Sequence, residues 1–245
     1  MKVRYTLPDL LRGILIVSMV LYHAMWDLVY IFSVEIPWFR PGAGGGTAFW
    51  QAATAWAFIL LSGFCWSMGR HRLRRAISVL VCSAAVSAAT LMFLPVSAIR
   101  FGVLSLIGSA MLLTIPLDRF FGKISPYVGL PASCLLFGLT RHVSEGYLGC
   151  GDWVLSLPAA WYANDLTAYL GLRPEGFFST DYVPLLPWLF LYWAGYFGYR
   201  IFRRRGWLRH LSAVSRPLPE WLGRHSLVIY MVHQPLIYGA LALFL

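Results

Sequence analysis

Charged residues are scarce in this sequence, and acidic ones are the scarcest. Of its 245 residues only 12% are charged, with 10 Asp and Glu against 20 Lys and Arg, whereas 59% are apolar. A soluble domain carries about twice that share of charge. The composition therefore excludes an ordinary soluble domain and predicts that the chain uses lipid as its solvent.

Several signatures of known chemistry are also missing. The sequence has no glycine-rich phosphate loop, no HExxH or GxSxG motif and no internal repeat, so the usual marks of nucleotide-binding enzymes, metalloproteases and hydrolases are absent. The four cysteines show neither paired spacing nor a metal motif. We interpret them as structural and expect no metal.

Long apolar runs are what the sequence does have. Their lengths, about 20 residues each, match a hydrocarbon core of about 30 Å. We predict an all-α, polytopic membrane helix bundle that forms a single domain over residues 1–245. Its roughly seven transmembrane helices are expected near residues 10–32, 47–68, 76–95, 101–116, 124–140, 183–199 and 225–245.

Lys and Arg alternate with these spans instead of forming one basic stripe, which argues against a nucleic-acid partner. Fifteen belong to one side: Lys2, Arg4, Arg70, Arg72, Arg74, Arg75, Arg119, Lys123, Arg200, Arg203, Arg204, Arg205, Arg209, Arg216 and Arg224. The other side has four: Arg40, Arg100, Arg141 and Arg173. The positive-inside rule therefore predicts a cytoplasmic N-terminus and an outer C-terminus.

The long segment 141–182 is expected to be an outer loop at the membrane interface. Its apolar part, 153–172, contains Pro, Asn and Asp, so a further span is not predicted there; a re-entrant or short amphipathic helix is the alternative. The expected interfacial anchors are Trp153, Trp161, Tyr162 and Tyr169.

Ionisable residues inside a span are costly and mark candidate functional sites. The first span holds Asp9 and Arg12 three residues apart, then His23 and Asp27 four residues apart. A carboxylate beside an imidazole can fix its tautomer and raise its basicity, as general-base catalysis requires. The alternatives are that Arg12 is an interfacial anchor and that His23 only stabilises helix packing.

Two further polar groups accompany the later spans. The last span begins with Arg224, His225 and Ser226 and continues to Tyr230 and His233. Ser226, Tyr230 and His233 fall on one helical face. His233 can instead cap a backbone carbonyl freed by Pro235. Before the sixth span, Asp181 and Tyr182 precede Trp188, and Asp181 can be an N-cap.

The order of these motifs resembles a known family. PDLLRG at 8–13 with YHAMWDL at 22–28, FGVL at 101–104, FSTDYVPLLPW at 178–188, and LGRHSL at 222–227 with HQP at 233–235 are similar to small bacterial members of the heparan-α-glucosaminide N-acetyltransferase catalytic-domain family. Arg12 and His23, with ten residues between them, resemble the Arg-x10-His signature of transmembrane acyltransferases. Ser105 departs from the pattern, since a larger polar residue is expected there.

The resemblance implies transfer of an acyl group, typically acetyl, from cytosolic acetyl-CoA to an amino sugar or sugar hydroxyl of an envelope glycan outside the inner membrane of a bacterium. His23 would be the catalytic base or acyl carrier, supported by Asp27. The residues expected to meet the cofactor are Arg12, Arg224, His225, Ser226, Tyr230 and His233. Those expected to face the acceptor are Asp9, Trp26, Asp181, Tyr182 and Trp188.

Two other functions remain compatible with the same residues. Intramembrane His, Asp and Arg side chains can form the proton relay of a solute transporter, although no inverted repeat supports it. The chain can also be a non-catalytic subunit of an envelope assembly whose polar groups only pack helices. A homodimer is plausible, but no residue pattern argues for it.

Overall fold

The computed structural model describes residues 5–39, 45–212 and 216–245, and 74% of the chain is helical. Lys2, Arg4 and Arg40, used above for the charge asymmetry, lie outside the described residues. The helices are α1 (Thr6–Tyr30), α2 (Gly46–Trp66), α3 (Arg72–Phe93), α4 (Val103–Phe121), α5 (Pro126–Thr140), α6 (Asp165–Leu170), α7 (Leu185–Arg204), α8 (Pro217–Arg224) and α9 (Ser226–Phe244). Strands β1 (Tyr147–Cys150) and β2 (Trp153–Ser156) form one antiparallel hairpin.

Within the described residues, α1, α2, α3, α4 and α9 are long and apolar enough to cross a membrane. Each also exposes large apolar side chains, as a lipid-facing helix does. The other two expected spans became α5 and α7. α5 has only 15 residues, about 22 Å at the α-helical rise, and α7 contains three arginines. The seven-span count therefore stays a prediction.

The helices differ from the spans predicted from the sequence mainly at one end of each helix, the end that the Lys and Arg distribution predicts to be cytoplasmic. α4 continues through Pro116 to Phe121 instead of ending at the proline, because its neighbours fix it on both sides of that residue. The basic stretch 200–224, expected to be a break, contains the short helix α8 directly before α9. Pro217 begins α8, since proline at the first helical position needs no hydrogen-bond partner for its nitrogen.

The chain divides into two compact units, and the first comprises Met1–Phe58 with Gly206–Leu245. Its main contact is a glycine-mediated crossing of α1 with α8. A Cβ on Gly13 would lie 1.9 Å from the carbonyl oxygen of Pro219, and one on Gly223 would lie 1.8 Å from that of Asp9. No other residue type permits this backbone approach, which is a common way to pack membrane helices.

The same crossing sets the register of α1 against α9. Ten residues after Gly13 comes His23, and ten residues after Gly223 comes His233, and the two imidazole rings are in contact. Further along, Phe32 meets the ring of Tyr238 with centroids 5.7 Å apart. The helices α1 and α9 therefore run side by side in the same direction, whereas α8 crosses α1 in the opposite sense, since Gly13 meets Pro219 and Asp9 meets Gly223.

The second unit, Ile59–Arg205, contains the end of α2 with α3, α4, α5 and α7. Here also glycines bring helices together: a Cβ on Gly63 would lie 1.9 Å from the Tyr192 carbonyl oxygen, and one on Gly195 would lie 2.0 Å from that of Leu60. Trp66, Tyr192 and Tyr196 are almost completely buried beside this crossing.

An ionic network joins three elements of the second unit. Asp118 of α4 accepts hydrogen bonds from Arg72 of α3 at 3.0 Å and from the Tyr196 hydroxyl of α7 at 2.7 Å. The Arg72 guanidinium also lies 4.0 Å above the Trp66 ring centroid. Arg200 donates to the carbonyl oxygens of Phe121 and Gly122, which end α4. This network holds together the start of α3, the end of α4 and the second half of α7.

Residues 141–182, predicted as an outer loop with a re-entrant or short amphipathic helix as the alternative, contain several short regular elements. The segment contains 3₁₀ turns at Val143–Glu145 and Ala159–Trp161, the β1–β2 hairpin and α6. Asn164 caps α6 through a reciprocal capping box with Thr167. α6 has only 6 residues, so the alternative of a re-entrant helix long enough to enter the membrane is not supported. The anchors Trp153 and Trp161 are exposed, as an interfacial position requires.

Candidate active site

Two histidines meet in the first unit, one from each of two neighbouring helices. The ring centroids of His23 in α1 and His233 in α9 lie 4.9 Å apart, nearly perpendicular. His233 is 8% exposed, whereas His23 is half-buried. Of the two imidazoles, His23 is therefore the one that a substrate can reach.

Each imidazole is oriented by a carbonyl of its own helix. His23 Nδ1 lies 2.9 Å from the Met19 carbonyl oxygen, and His233 Nδ1 lies 2.6 Å from that of Tyr230. Since a carbonyl only accepts, both Nδ1 atoms carry the proton and both Nε2 atoms present a lone pair. A general base needs an available lone pair, and His23 Nε2 provides one because it has no hydrogen-bond partner among the described residues.

This arrangement corrects the expected role of Asp27. The carboxylate does not fix the His23 tautomer, because the Met19 carbonyl, one helical turn earlier, already occupies Nδ1. Asp27 instead accepts a 2.9 Å hydrogen bond from Gln234 Nε2 of α9. Its remaining influence on His23 is the electrostatic attraction between a carboxylate and an imidazolium.

Three polar atoms beside the histidines have no hydrogen-bond partner among the described residues. They are Asp27 Oδ2, His233 Nε2 and Gln234 Oε1, and all three are buried. Asp27 is fully buried. Native proteins rarely leave buried polar atoms unpaired, and clusters of them mark places where a ligand or water binds.

Aromatic rings surround the accessible imidazole. The Tyr22 ring contacts His23 edge-on at 5.8 Å and also meets Trp50 of α2 at 5.5 Å. Trp50 Nε1 donates to Ser18 Oγ at 2.8 Å, which places this part of α2 against α1. Trp26 contacts the Tyr30 ring of the same helix at 5.1 Å. These contacts make an apolar surrounding in which an electrostatic interaction is stronger than in water.

The Arg12 side chain behaves as its spacing predicts. It forms an ion pair with Asp9 at 3.2 Å, and both side chains are largely buried, at 23% and 16% exposed. Glu220 of α8 accepts a hydrogen bond from the Arg216 backbone N–H at 2.7 Å, and Arg224 Nε donates to the Glu220 carbonyl at 3.2 Å. Charged groups therefore line both helices near the Gly13 and Gly223 crossing.

The remaining residues of the last motif follow α8 into α9. His225 donates from Nδ1 to the Trp221 carbonyl at 2.8 Å and packs on the Trp221 ring. Ser226 is the first residue of α9, and the Tyr230 ring contacts His233 at 5.4 Å. His233 does not cap the Met231 carbonyl, the one that Pro235 leaves without its helical donor. It contacts the Tyr230 carbonyl instead, and its Nε2 has no partner among the described residues.

The motifs FGVL at 101–104 and FSTDYVPLLPW at 178–188 lie in the second unit and meet each other there. Ser179 Oγ accepts from the Arg100 N–H at 2.9 Å and donates to the Arg100 carbonyl at 2.8 Å. The Val183 N–H donates to the Phe101 carbonyl at 2.9 Å. A Cβ on Gly102 would lie 3.0 Å from an Asp181 carboxylate oxygen. The glycine of the FGVL motif thus makes room for the acid of the later motif.

Asp181 is not the N-cap of the following helix, so that interpretation is wrong. α7 begins at Leu185 with Pro184 in the capping position, because the two prolines of the motif set where the helix can start. Tyr182 donates its hydroxyl to the Ala168 carbonyl of α6, and burial raises the pKa of this phenol to about 12. Trp188 packs on the Phe137 ring of α5 with centroids 5.5 Å apart.

The structure brings together some of the expected residues and adds others. His23, Asp27, Tyr230 and His233 form one cluster, whereas Asp181, Tyr182 and Trp188 belong to the second unit. Sequence reasoning did not assign a role to Gln234, which binds Asp27. The signal that could have identified Gln234 is its position, since it is a polar residue between His233 and Pro235 in an apolar helix.

Comparison with known proteins agrees with these motifs. Residues 4–235 match the family model described as heparan-alpha-glucosaminide N-acetyltransferase, catalytic. No curated protein and no solved structure shows a significant match to this chain.

Proposed function

The chain belongs to the heparan-alpha-glucosaminide N-acetyltransferase catalytic family, and we propose that it transfers an acetyl group from acetyl-CoA across a membrane to a glycan. The family indicates a membrane acetyltransferase. The donor would bind on the cytoplasmic side, which carries most of the Lys and Arg, and the acceptor on the outer side of a bacterial inner membrane. The topology proposed with it is seven spans in a single domain.

The contact of His23 with His233 is the observation that carries this proposal. Both imidazoles hold their Nδ1 proton in a backbone hydrogen bond, so His23 Nε2 is free to take a proton from an acceptor amine or hydroxyl. The same nitrogen could attack the thioester and carry the acyl group. Direct transfer and an acyl-histidine intermediate are both compatible with this geometry.

The other residues would hold the two substrates. Acetyl-CoA is polyanionic, and Arg12, Arg224, His225, Ser226, Tyr230 and His233 are the proposed contacts for it. Arg12 is already oriented by its ion pair with Asp9. For the acceptor we propose Asp9, Trp26, Asp181, Tyr182 and Trp188, since carboxylates and aromatic rings are common partners of sugars. A homodimer is not required by any of these contacts.

Acyl transfer by the purified protein in liposomes tests the proposal. Labelled acetyl-CoA is supplied on the side of the basic loops, with glucosamine-containing acceptors on the other side. Wild type and the matched control His210→Ala, an exposed histidine of the 3₁₀ segment Trp207–Ser212, are expected to label the acceptor. His23→Ala is expected to lose on the order of 10²–10⁴-fold in turnover, the usual contribution of a general base.

A proton-coupled transporter is the second candidate, because Asp27 is a fully buried carboxyl in an apolar helix and such residues also serve as proton relays. The same liposomes distinguish the two. Solute uptake driven by a pH gradient, without consumption of acetyl-CoA, would favour the transporter. Normal amounts of His23→Ala protein with lost transfer would exclude a role in packing alone.

A further inference from the structure

We propose that Asp27 takes the first of two protons that an ammonium acceptor must lose, and that His23 takes the second. This inference rests on the proposed function and specifies the protonation state of the acceptor that the site receives. It gives Asp27 a proton-accepting role of its own, where the resemblance implied only support of His23, and it gives a role to Gln234, to which the sequence assigned none. The cluster of His23, Asp27, His233 and Gln234 is called the acceptor-only cluster below.

Each donor nitrogen of the acceptor-only cluster makes one hydrogen bond within the protein. Gln234 Nε2 donates to Asp27 Oδ1, and the Nδ1 protons of His23 and His233 go to backbone carbonyls. What remains unpartnered and buried, among the described residues, is Asp27 Oδ2, Gln234 Oε1 and His233 Nε2. A carboxylate oxygen, an amide oxygen and an imidazole lone pair can only accept.

A ligand group that satisfies this cluster must therefore supply several N–H or O–H bonds. An ammonium group offers three, whereas a hydroxyl offers one. Charge points the same way, because Asp27 is fully buried and its side chain interacts with His23 on its own helix and with Gln234 on α9, neither of which is Lys or Arg. Arg12, the cation of α1, is paired with Asp9 and lies about 22 Å along the helix from Asp27.

The chemistry of amide formation requires two proton acceptors. An ammonium nitrogen carries three protons and no lone pair, and the product amide keeps one of the three. The first proton must leave before the nitrogen can attack the thioester carbonyl. The second leaves as the C–N bond forms and the C–S bond breaks. In total, an ammonium ion and a thioester give an amide, a thiol and one free proton.

The structure offers one group for each proton. Asp27 Oδ2 receives the first proton and releases it to solvent, and this is the free proton among the products. His23 Nε2 receives the second and returns it to the departing thiolate, which accounts for the thiol. A hydroxyl acceptor has only one proton to lose, so it needs His23 alone. Asp27 is thus required by an ammonium acceptor and not by a hydroxyl or an amine that is already neutral.

Gln234 is a positioning residue in this scheme. Its Nε2 holds Asp27 Oδ1, so the lone pairs of Oδ2 stay directed away from that bond. Asp27→Asn preserves this contact, because the asparagine Oδ1 can still accept from Gln234, but it removes the negative charge and the proton-accepting oxygen. The substitution therefore separates the chemical role of Asp27 from its role in packing α1 against α9.

The experiment compares acceptors of different basicity in the acyl-transfer assay. Asp27→Asn is assayed with an ordinary primary amine, with a weakly basic amine that is neutral near pH 7, and with a hydroxyl acceptor. For the ordinary amine, kcat/KM is expected to fall on the order of 10²-fold and to rise about tenfold per pH unit as the free amine becomes available. For the weakly basic amine it is expected to remain close to wild type.

Two variants control this result. Asp152→Asn, at the exposed hairpin turn, should match wild type with every acceptor. Asp27→Glu keeps a carboxylate and should keep the wild-type pH profile at a lower kcat, which tests the idea even if Asp27→Asn folds poorly. An equal loss for all acceptors with no pH dependence, or wild-type rates throughout, would overturn the inference. No transfer by wild type to any acceptor would instead overturn the proposed function, and this inference with it.

Discussion

Gly13 of α1 and Gly223 of α8 each rest against the backbone of the other's helix, and the contact is reciprocal. The site that a Cβ would occupy on Gly13 holds the Pro219 carbonyl oxygen, and the corresponding site on Gly223 holds that of Asp9. Ten residues beyond each glycine stands one of the two paired histidines. The glycine crossing therefore determines which level of α9 meets His23.

Gly13→Ala and Gly223→Ala are each expected to lower stability by about 1–3 kcal/mol, since the new methyl group collides with backbone that cannot move aside like a side chain. Thermal unfolding in detergent measures this effect. Gly239→Ala on α9 is the matched control, because a Cβ there meets nothing within 4 Å. Equal melting temperatures for all three variants would show that the helices separate without cost.

A second glycine pair tests the packing of the other unit. Gly195→Ala places a methyl group 2.0 Å from the Leu60 carbonyl oxygen, whereas Gly198→Ala on the same helix meets only a Phe64 ring carbon at 3.8 Å. We expect Gly195→Ala to unfold at a clearly lower temperature and Gly198→Ala to be neutral or slightly stabilised by its lower backbone entropy. The opposite order would contradict the α2 and α7 crossing.

Deprotonation of the Tyr182 hydroxyl is expected to lower the stability of the folded protein at alkaline pH. Burial raises the pKa of this phenol from 10.0 to about 12 in the folded protein, so the folded state holds the proton more tightly than the unfolded state. Its contribution is fully present below about pH 10 and is lost as the pH rises towards about 12.

Tyr182→Phe isolates that contribution. The variant leaves the Ala168 carbonyl without its donor and should cost about 1 kcal/mol at neutral pH. The difference in melting temperature between wild type and variant is expected to stay constant up to about pH 10 and to shrink between about pH 10 and about pH 12. A difference that stays constant over this range would mean that the hydroxyl titrates like that of an unfolded chain.

Cysteine labelling tests the proposed topology. Cys150 is exposed at the end of β1, in the segment expected outside. With the other three cysteines replaced by alanine, a membrane-impermeant maleimide added to intact cells should label it. A cysteine introduced at Lys123, with Cys150 also replaced, should be labelled only after the membrane is opened. Labelling in the reverse order would invert the orientation predicted from Lys and Arg.

The membrane class and the helical fold followed from the sequence, as did the choice of His23, Asp27 and His233 as candidates, because burial in lipid imposes long apolar runs and makes polar residues within them conspicuous. The partner of Asp27 did not follow. Residues four apart on one helix invited a pairing with His23, whereas a helix carbonyl at Met19 was equally near and needed no side-chain ordering.

Long-range contacts were the other limit. Gln234 binds Asp27 across more than two hundred residues of sequence, and spacing within one segment carries no information on such a contact. The β1–β2 hairpin was also missed, because Gly149 and Gly151 adopt positive φ angles that turn an apolar stretch back on itself. Its aromatic residues had been interpreted only as interfacial anchors.

The first unit is built from the two ends of the chain, and this has a consequence for synthesis. A ribosome adding about 5–20 residues per second needs roughly 10–40 s to pass from Asp27 to Gln234. During that interval α1 sits in the membrane with its buried carboxyl lacking the Gln234 donor and with His23 lacking its ring contact with His233. A chain stalled or truncated before α9 therefore exposes an unsatisfied acid in lipid, a defect that membrane quality control can detect, and the proposed acyl transfer can begin only when α9 has been inserted.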